Sequence, residues 1–375
     1  MGTIACCRES KRYNSQNICI CQINRYNSDY DDSLFLESHT ETEALITNRS
    51  SKLKIEENMP EDSKNNNNLK LKGTIYSKKP TLKNQKGEFQ LLSYDIEEER
   101  FKKFKVIFPI IKSIEGLNEL FVNSKLYLCG ISSKQKNEGS YLFEINVNEK
   151  NVKNELNAQI LINSQHPHVY PSLIYDSLGQ IICIGGKGQT FCELYNNSLN
   201  KWFILPSLPE ERYKCTLCID SKNIYLYLFG GINTKDKNND NKHKDDDYKI
   251  LRMHLIKQFE WETIAIKNDS KKLIINRCLA GSFVFKNDED YMFIVGGENN
   301  KKKCFNDVIR FSIQDCKFEK TGVKLNNGTK FTNQSGILIN EQSYYFIDSV
   351  NKIHTIERHD CLPMDYLPKM IRNFK

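Results

Sequence analysis

From about residue 86 onward the chain alternates short runs of Val, Ile, Leu, Tyr and Phe with clusters of Gly, Asn, Asp and Lys. Such runs, four to eight residues long and bounded by turn formers, predict many short strands rather than helices. Residues 8 to about 85 carry no comparable pattern: an acidic stretch (Asp29, Asp31, Asp32, Glu37, Glu41, Glu43) is followed by the Asn65–Asn68 run. A segment of that composition buries too little apolar surface to offset its ordering entropy, so a disordered tether is expected there. The predicted division is a tether over 1–85, an all-β domain over 86–360 and a tail over 361–375.

The apolar runs repeat. Four end in glycine: Leu126–Gly130, Ile181–Gly186, Tyr225–Gly231 and Met292–Gly297, with Tyr344–Asp348 in the equivalent place without it. The first glycines, Gly130, Gly185, Gly230 and Gly296, are 55, 45 and 66 residues apart. The signature glycines are completed by Gly186, Gly231 and Gly297. A second mark shares the period: large rings seven positions apart, as Tyr94 with Phe101, Tyr195 with Trp202, His254 with Trp261, and Phe311 with Phe318. Ile145 and Val152 take these places in the copy without rings. The widest gap holds a polar insertion, Lys235–Lys249, whose composition is that of a solvated loop.

A double glycine after a hydrophobic run, followed by an aromatic residue and a Trp seven apart, resembles the kelch repeat, whose period is about 50 residues. The resemblance covers roughly residues 86 to 360, and the copy with Gly185, Gly186, Tyr195 and Trp202 is its best. It departs at Ile131, which replaces the second glycine after Gly130, and at His254 and Phe318, which replace Tyr and Trp. The resemblance implies a β-propeller of four-stranded blades stacked around a channel, each blade supplying its neighbour's missing core. Six blades are expected, with Gly73–Lys79 completing one end of the ring. Five result if residues 88–107 pair with Phe331–Asp348.

Composition narrows the class further. No stretch approaches the ~20 apolar residues of a spanning helix. The excess of Lys+Arg 54 over Asp+Glu 47 is spread along the chain, unlike the clustered basic face of a nucleic-acid binder. Thirteen cysteines in 375 residues are too sparse for a disulfide scaffold. The start, MGTIACCRESKR, lacks the apolar run of a signal peptide but presents Gly2 as an N-myristoylation acceptor, with Cys6 where the pattern has Ser or Thr. One myristoyl chain binds a membrane only marginally, and Cys6 and Cys7 offer sites for a second, palmitoyl chain. Cys19 and Cys21 are further candidates. Arg8, Lys11 and Arg12 add attraction to an anionic leaflet.

Catalytic motifs are not found. Cys215 and Cys218 have CxxC spacing but no second ligand pair, and in a strand they face opposite ways. His166 and His168 lack a third metal ligand. No GxSxG, P-loop or GxGxxG joins a strand to a helix. No cofactor or metal is expected. The expected protein is a non-enzymatic interaction scaffold or adaptor, anchored by lipids at the cytosolic face of a membrane and binding protein partners through the propeller's loop face. The alternatives are a soluble kelch adaptor for cytoskeleton or ubiquitin machinery and, less favoured, an oxidase-like enzyme.

Overall fold

The run Gln180–Gly186 is buried along its whole length, as a strand must be when its Ile and Cys side chains have packed layers on both faces. This strand, β9, is the second of four in its sheet, and the same plan recurs in three others. The computed structural model of the chain describes residues 74–78, 88–95, 100–109, 114–122, 125–132, 138–147, 155–233, 250–257, 260–267, 273–274, 277–285, 291–299, 302–331, 337–340, 343–347 and 352–361. Among them the structure is all-β except for one helical turn, Arg358–Cys361.

Four sheets are complete antiparallel meanders. The first contains β4 (Ile114–Val122), β5 (Lys125–Ser132), β6 (Tyr141–Asn146) and β7 (Glu155–Ile160). The second contains β8 (Ser172–Tyr175), β9, β10 (Gln189–Asn196) and β11 (Lys201–Leu205). The third contains β12 (Thr216–Ile219), β13 (Tyr225–Phe229), β14 (Ile250–His254) and β15 (Trp261–Ile264). The fourth contains β16 (Gly281–Phe283), β17 (Tyr291–Val295), β18 (Asp307–Ser312) and β19 (Lys317–Lys324). A fifth, of three strands, is β20 (Ile337–Asn340), β21 (Ser343–Ile347) and β22 (Ile353–Glu357). Before them, β1 (Thr74–Lys78), β2 (Glu88–Asp95) and β3 (Arg100–Ile107) form an antiparallel unit. Its last strand pairs in parallel with β7 at Lys105↔Glu155, Val106↔Leu156 and Ile107↔Asn157.

Side-chain alternation sends the two faces of each sheet into different cores. In β9, Ile181 and Cys183 pack with Leu120, Tyr127 and Leu142 of the first sheet. Ile182 and Ile184 pack with Leu217, Leu226 and Leu228 of the third. The third sheet's other face, with Tyr227 and Phe229, meets Met292, Ile294 and Phe311 of the fourth. Phe283, Phe293 and Val295 then meet Tyr344, Phe346 and Ile356 of the fifth, while Leu91 and Val106 of β2 and β3 cover Leu126, Phe143 and Ile145. Each buried aliphatic or aromatic side chain contributes about 1.5–3 kcal/mol, so no sheet retains its core without both neighbours. The arrangement is that of a propeller, with four complete blades.

Three placements bear on the expected boundaries and on the five-blade alternative. The first strand among the described residues, Thr74–Lys78, lies upstream of residue 86. Residues 88–107 pair with each other and with β7, not with β20 or β21. Cys361, placed in the tail, is fully buried in the core between the fourth and fifth sheets. The insertion between β13 and β14 lies outside the described residues, as do Gly2, Cys6 and Cys7.

Candidate functional site

The double glycines mark the seams between sheets. The second glycine of each pair donates its N–H to a carbonyl in the linker that enters the next sheet: Gly186 to Arg212 O (2.9 Å), Gly231 to Arg277 O (3.0 Å) and Gly297 to Thr329 O (2.7 Å). The first glycine is left-handed each time, with φ of 58° at Gly185, 57° at Gly230 and 57° at Gly296. Any Cβ there would strike the same linker carbonyl; at Gly296 it would stand 2.6 Å from Thr329 O. Glycine is needed for both the torsion and the approach. Gly130 is different: it pairs with Tyr141 inside the sheet, and β5 continues through Ile131. Without the second glycine the strand does not break into the left-handed pair.

The same seams hold a third repeat mark, a buried basic side chain ahead of each inner strand. His168 Nδ1 lies 2.7 Å from Gly185 O, Arg212 donates to Gly230 O (3.4 Å), and Arg277 donates to Gly296 O (2.7 Å). Each cation position has an acid: Glu193 for His168, Glu210 for Arg212, and Asp307 for Arg277 at 3.0 Å. Glu193 is wholly buried and accepts from the Gln165 N–H (2.8 Å) and the His166 N–H (3.1 Å), with His168 Nε2 at 2.8 Å. Burial alone would push its carboxyl up, but the bonds from His168, Gln165 and His166 outweigh that and hold it below the ordinary range. Ser140 of the first sheet completes the seam, bonding the His168 N–H and carbonyl through its hydroxyl.

Of the predicted ring pairs, Tyr195 stands opposite Trp202 and Phe311 opposite Phe318, with centroids 5.3 and 5.0 Å apart. The Trp202 indole donates to Ile162 O (2.8 Å), and Trp261 repeats this to Pro206 O (2.9 Å), so each tryptophan ties its outer strand to the preceding linker. His254 does not hold the place expected of it. Trp261 stands opposite Met253, because the turn from β14 to β15 spans six residues where that from β10 to β11 spans four. His254 instead meets the Tyr225 ring at 5.0 Å. Tyr94 stands opposite Phe101 in the ladder, but Phe101 is 41% exposed and not a seam residue. Opposite Ile145 stands Ala158; Val152 lies outside the described residues.

Two residues beyond each basic position the backbone is again left-handed, now without glycine: Tyr170 (φ 55°), Lys214 (φ 56°) and Leu279 (φ 51°). Gly116 (φ 64°) does the same in the first sheet. Tyr170 N–H donates to Gly116 O (2.8 Å), Leu279 N–H to Lys214 O (3.2 Å) and Phe331 N–H to Leu279 O (2.9 Å). A non-glycine residue in this region costs about 1–2 kcal/mol. At these inner-strand tips Tyr170 is exposed and Lys214 and Leu279 are partly so, with the Lys214 ammonium 5.9 Å from the Tyr170 ring centroid.

Cys215 and Cys218 lie in different seams, facing opposite ways. Burial pushes both thiols up to about 12. His166 stacks on Phe191 at 3.9 Å and lies 3.6 Å from Glu193 Oε2. Among the described residues no group of three or more His, Cys, Asp or Glu side chains is placed to hold a metal ion. The basic seam residues escaped sequence reasoning, yet a signal exists: they precede the first glycine of the pair by 17, 18 and 19 residues. A scan against protein-family models finds none that matches the chain, and a search of curated proteins finds no match either.

Proposed function

We propose that the chain is a non-enzymatic kelch-type propeller that binds protein partners at the tips of its inner strands and is held at the cytosolic face of a membrane by lipids on Gly2, Cys6 and Cys7. The ring has six blades in this reading, with the β1–β3 unit as an incomplete first blade and β20–β22 as an incomplete last one. Support for six comes from the core between β2–β3 and the first sheet, and from β1 running alongside β21. The observation that carries the binding role is the left-handed series Tyr170, Lys214 and Leu279. The seam side chains are consumed by bonds to the fold, whereas these three hold an unfavourable backbone while part of each side chain stays in solvent.

Glycine variants test this directly, since glycine suits the left-handed backbone. Tyr170→Gly with Lys214→Gly is expected to keep or raise stability while losing co-precipitated partners; unchanged partners would remove the tips from the binding role. The anchor is tested by labelling with a clickable myristate analogue and fractionating membranes, comparing wild type, Gly2→Ala, and Cys6→Ser with Cys7→Ser. Soluble, unlabelled wild type would defeat the anchor, and a double cysteine variant as tightly bound as wild type would defeat its palmitoyl part.

A further inference from the structure

The second sheet carries two exposed leucines where the third carries Lys222 and the fourth Asp315 at the equivalent hairpin tips. Leu178, at the tip of the β8–β9 hairpin, is 52% exposed, and Leu199, at the tip of β10–β11, is 51% exposed. The tips are joined, because Asn197 Nδ2 donates to Gly179 O at 2.8 Å. Each is also held from within. Asp176 Oδ1 accepts the Leu178 and Gln180 N–H groups (2.9 and 2.8 Å), and Asn196 Oδ1 accepts the Leu199 N–H (2.9 Å). Tyr195 OH donates to Asn200 Oδ1 (2.8 Å), fixing the left-handed Asn200.

The repeat shows that the fold does not require leucine here. Asp220 caps the β12–β13 hairpin as Asp176 caps its own, and two residues beyond Asp220 stands the exposed Lys222. Ser312 caps the β18–β19 hairpin by accepting the Asp315 N–H (3.1 Å), which puts Asp315 in the place of Leu199. Single exposed leucines are ordinary; two on adjacent, internally braced tips form a patch. Lys125, Lys201, Lys222 and Lys257 stand at this same hairpin end. Among the described residues at this end, Asp315 is paired with Lys267 (3.5 Å), Glu144 takes up the charge of Lys125 (2.8 Å), and Glu260 stands exposed beside Lys201, Lys222 and Lys257.

We infer that the hairpin end of the second sheet docks on an anionic lipid surface, with Leu178 and Leu199 entering the interface and the surrounding lysines meeting lipid headgroups. The inference rests on the reading of the chain as a membrane-held protein and deepens it. An apolar tip flanked by lysines gains from burial at the headgroup boundary and from attraction to negative lipid. With the hairpin end on the membrane, the inner-strand tips at the opposite ends of the same strands face the cytosol.

The test uses full-length protein made in bacteria without a myristoyl transferase, so that no lipid anchor contributes. It is sedimented with vesicles of equimolar phosphatidylcholine and phosphatidylserine, and separately with phosphatidylcholine alone. Wild type is expected to bind the mixed vesicles and to lose that binding in salt. Leu178→Ser with Leu199→Ser, and independently Leu178→Glu with Leu199→Glu, are expected to bind at least about tenfold more weakly, with near-ultraviolet circular dichroism confirming the fold. Absence of wild-type binding, equal binding to both vesicle types, or full binding by either folded variant would overturn the inference. Loss of the Gly2 label in the cellular experiment bears on the anchor alone, so the two failures are distinguishable.

Discussion

His168 Nε2 lies 2.8 Å from Glu193 Oε2, and both side chains are wholly buried where the first sheet hands over to the second. The two Glu193 oxygens also serve the Gln165 and His166 N–H groups. Removing the carboxylate strands all three donors, so Glu193→Ala is expected to cost about 3–5 kcal/mol, measured by urea unfolding. Glu193→Gln keeps the shape and is expected to cost less.

The same carboxyl predicts a pH effect. Its folded pKa is depressed, so its contribution is present above the ordinary carboxylate value and is lost as pH falls through the lower folded value. Unfolding curves taken at descending pH are expected to lose stability in that window, and Glu193→Gln to flatten the loss. A variant with the unaltered acid slope would place the effect elsewhere.

Glycine substitutions separate torsion from collision. At Gly188 (φ 77°) nothing lies within 4 Å of an added Cβ, so Gly188→Ala is expected to cost about 1 kcal/mol for the left-handed backbone alone. At Gly230 the Cβ would run into the Arg277 carbonyl, a backbone atom of the next linker. Gly230→Ala is expected to cost several times more, about 3 kcal/mol or above. Similar thermal shifts for the two would show that the seam yields easily.

Trp202→Phe removes the indole N–H that serves Ile162 O while leaving a ring in the seam. The expected cost is about 2 kcal/mol from the lost bond and volume together.

Buried thiols give a further test. Burial pushes Cys192, Cys215, Cys218, Cys278 and Cys361 up to about 12. A raised folded pKa means the stabilisation is complete below the unfolded value of about 9.0 and is lost as pH climbs from there toward 12. Among the described cysteines, native protein is expected to alkylate first at the half-buried Cys304 and Cys316, with the seven buried thiols reacting only in denaturant; mass spectrometry of digests would read this.

The glycine pairs and the strands before them were legible because each is a contiguous motif whose torsions only glycine relieves cheaply. The basic seam residues were not: His168 differs in type from Arg212 and Arg277, and what unites the three is a shared carbonyl target revealed only by folding. His254 and Trp261 share the spacing of seven without facing each other, for a related reason. A fixed spacing of seven assumes a turn of constant length, and the longer β14–β15 turn moved the facing position to Met253. The exposed tips at Tyr170, Lys214 and Leu279 share a torsion rather than a residue type, so sequence pattern alone gave no sign of them.

The bonds made by the double glycines have a direction. In each, the N–H donor is a glycine of the earlier sheet and the carbonyl acceptor belongs to the chain leading into the later one. Unpaired buried N–H groups are tolerated less than unpaired carbonyls, which have two lone pairs. During synthesis, then, the second, third and fourth sheets each leave the ribosome with an unanswered glycine N–H until the following linker arrives. Shortening the chain from its C-terminal side strands these glycine donors; shortening it from the N-terminal side strands donors of the other kind, such as the Tyr170 and Leu279 N–H groups, whose acceptors Gly116 O and Lys214 O lie in the preceding sheet. The double-glycine bonds therefore close one after another, each waiting on the linker translated after it.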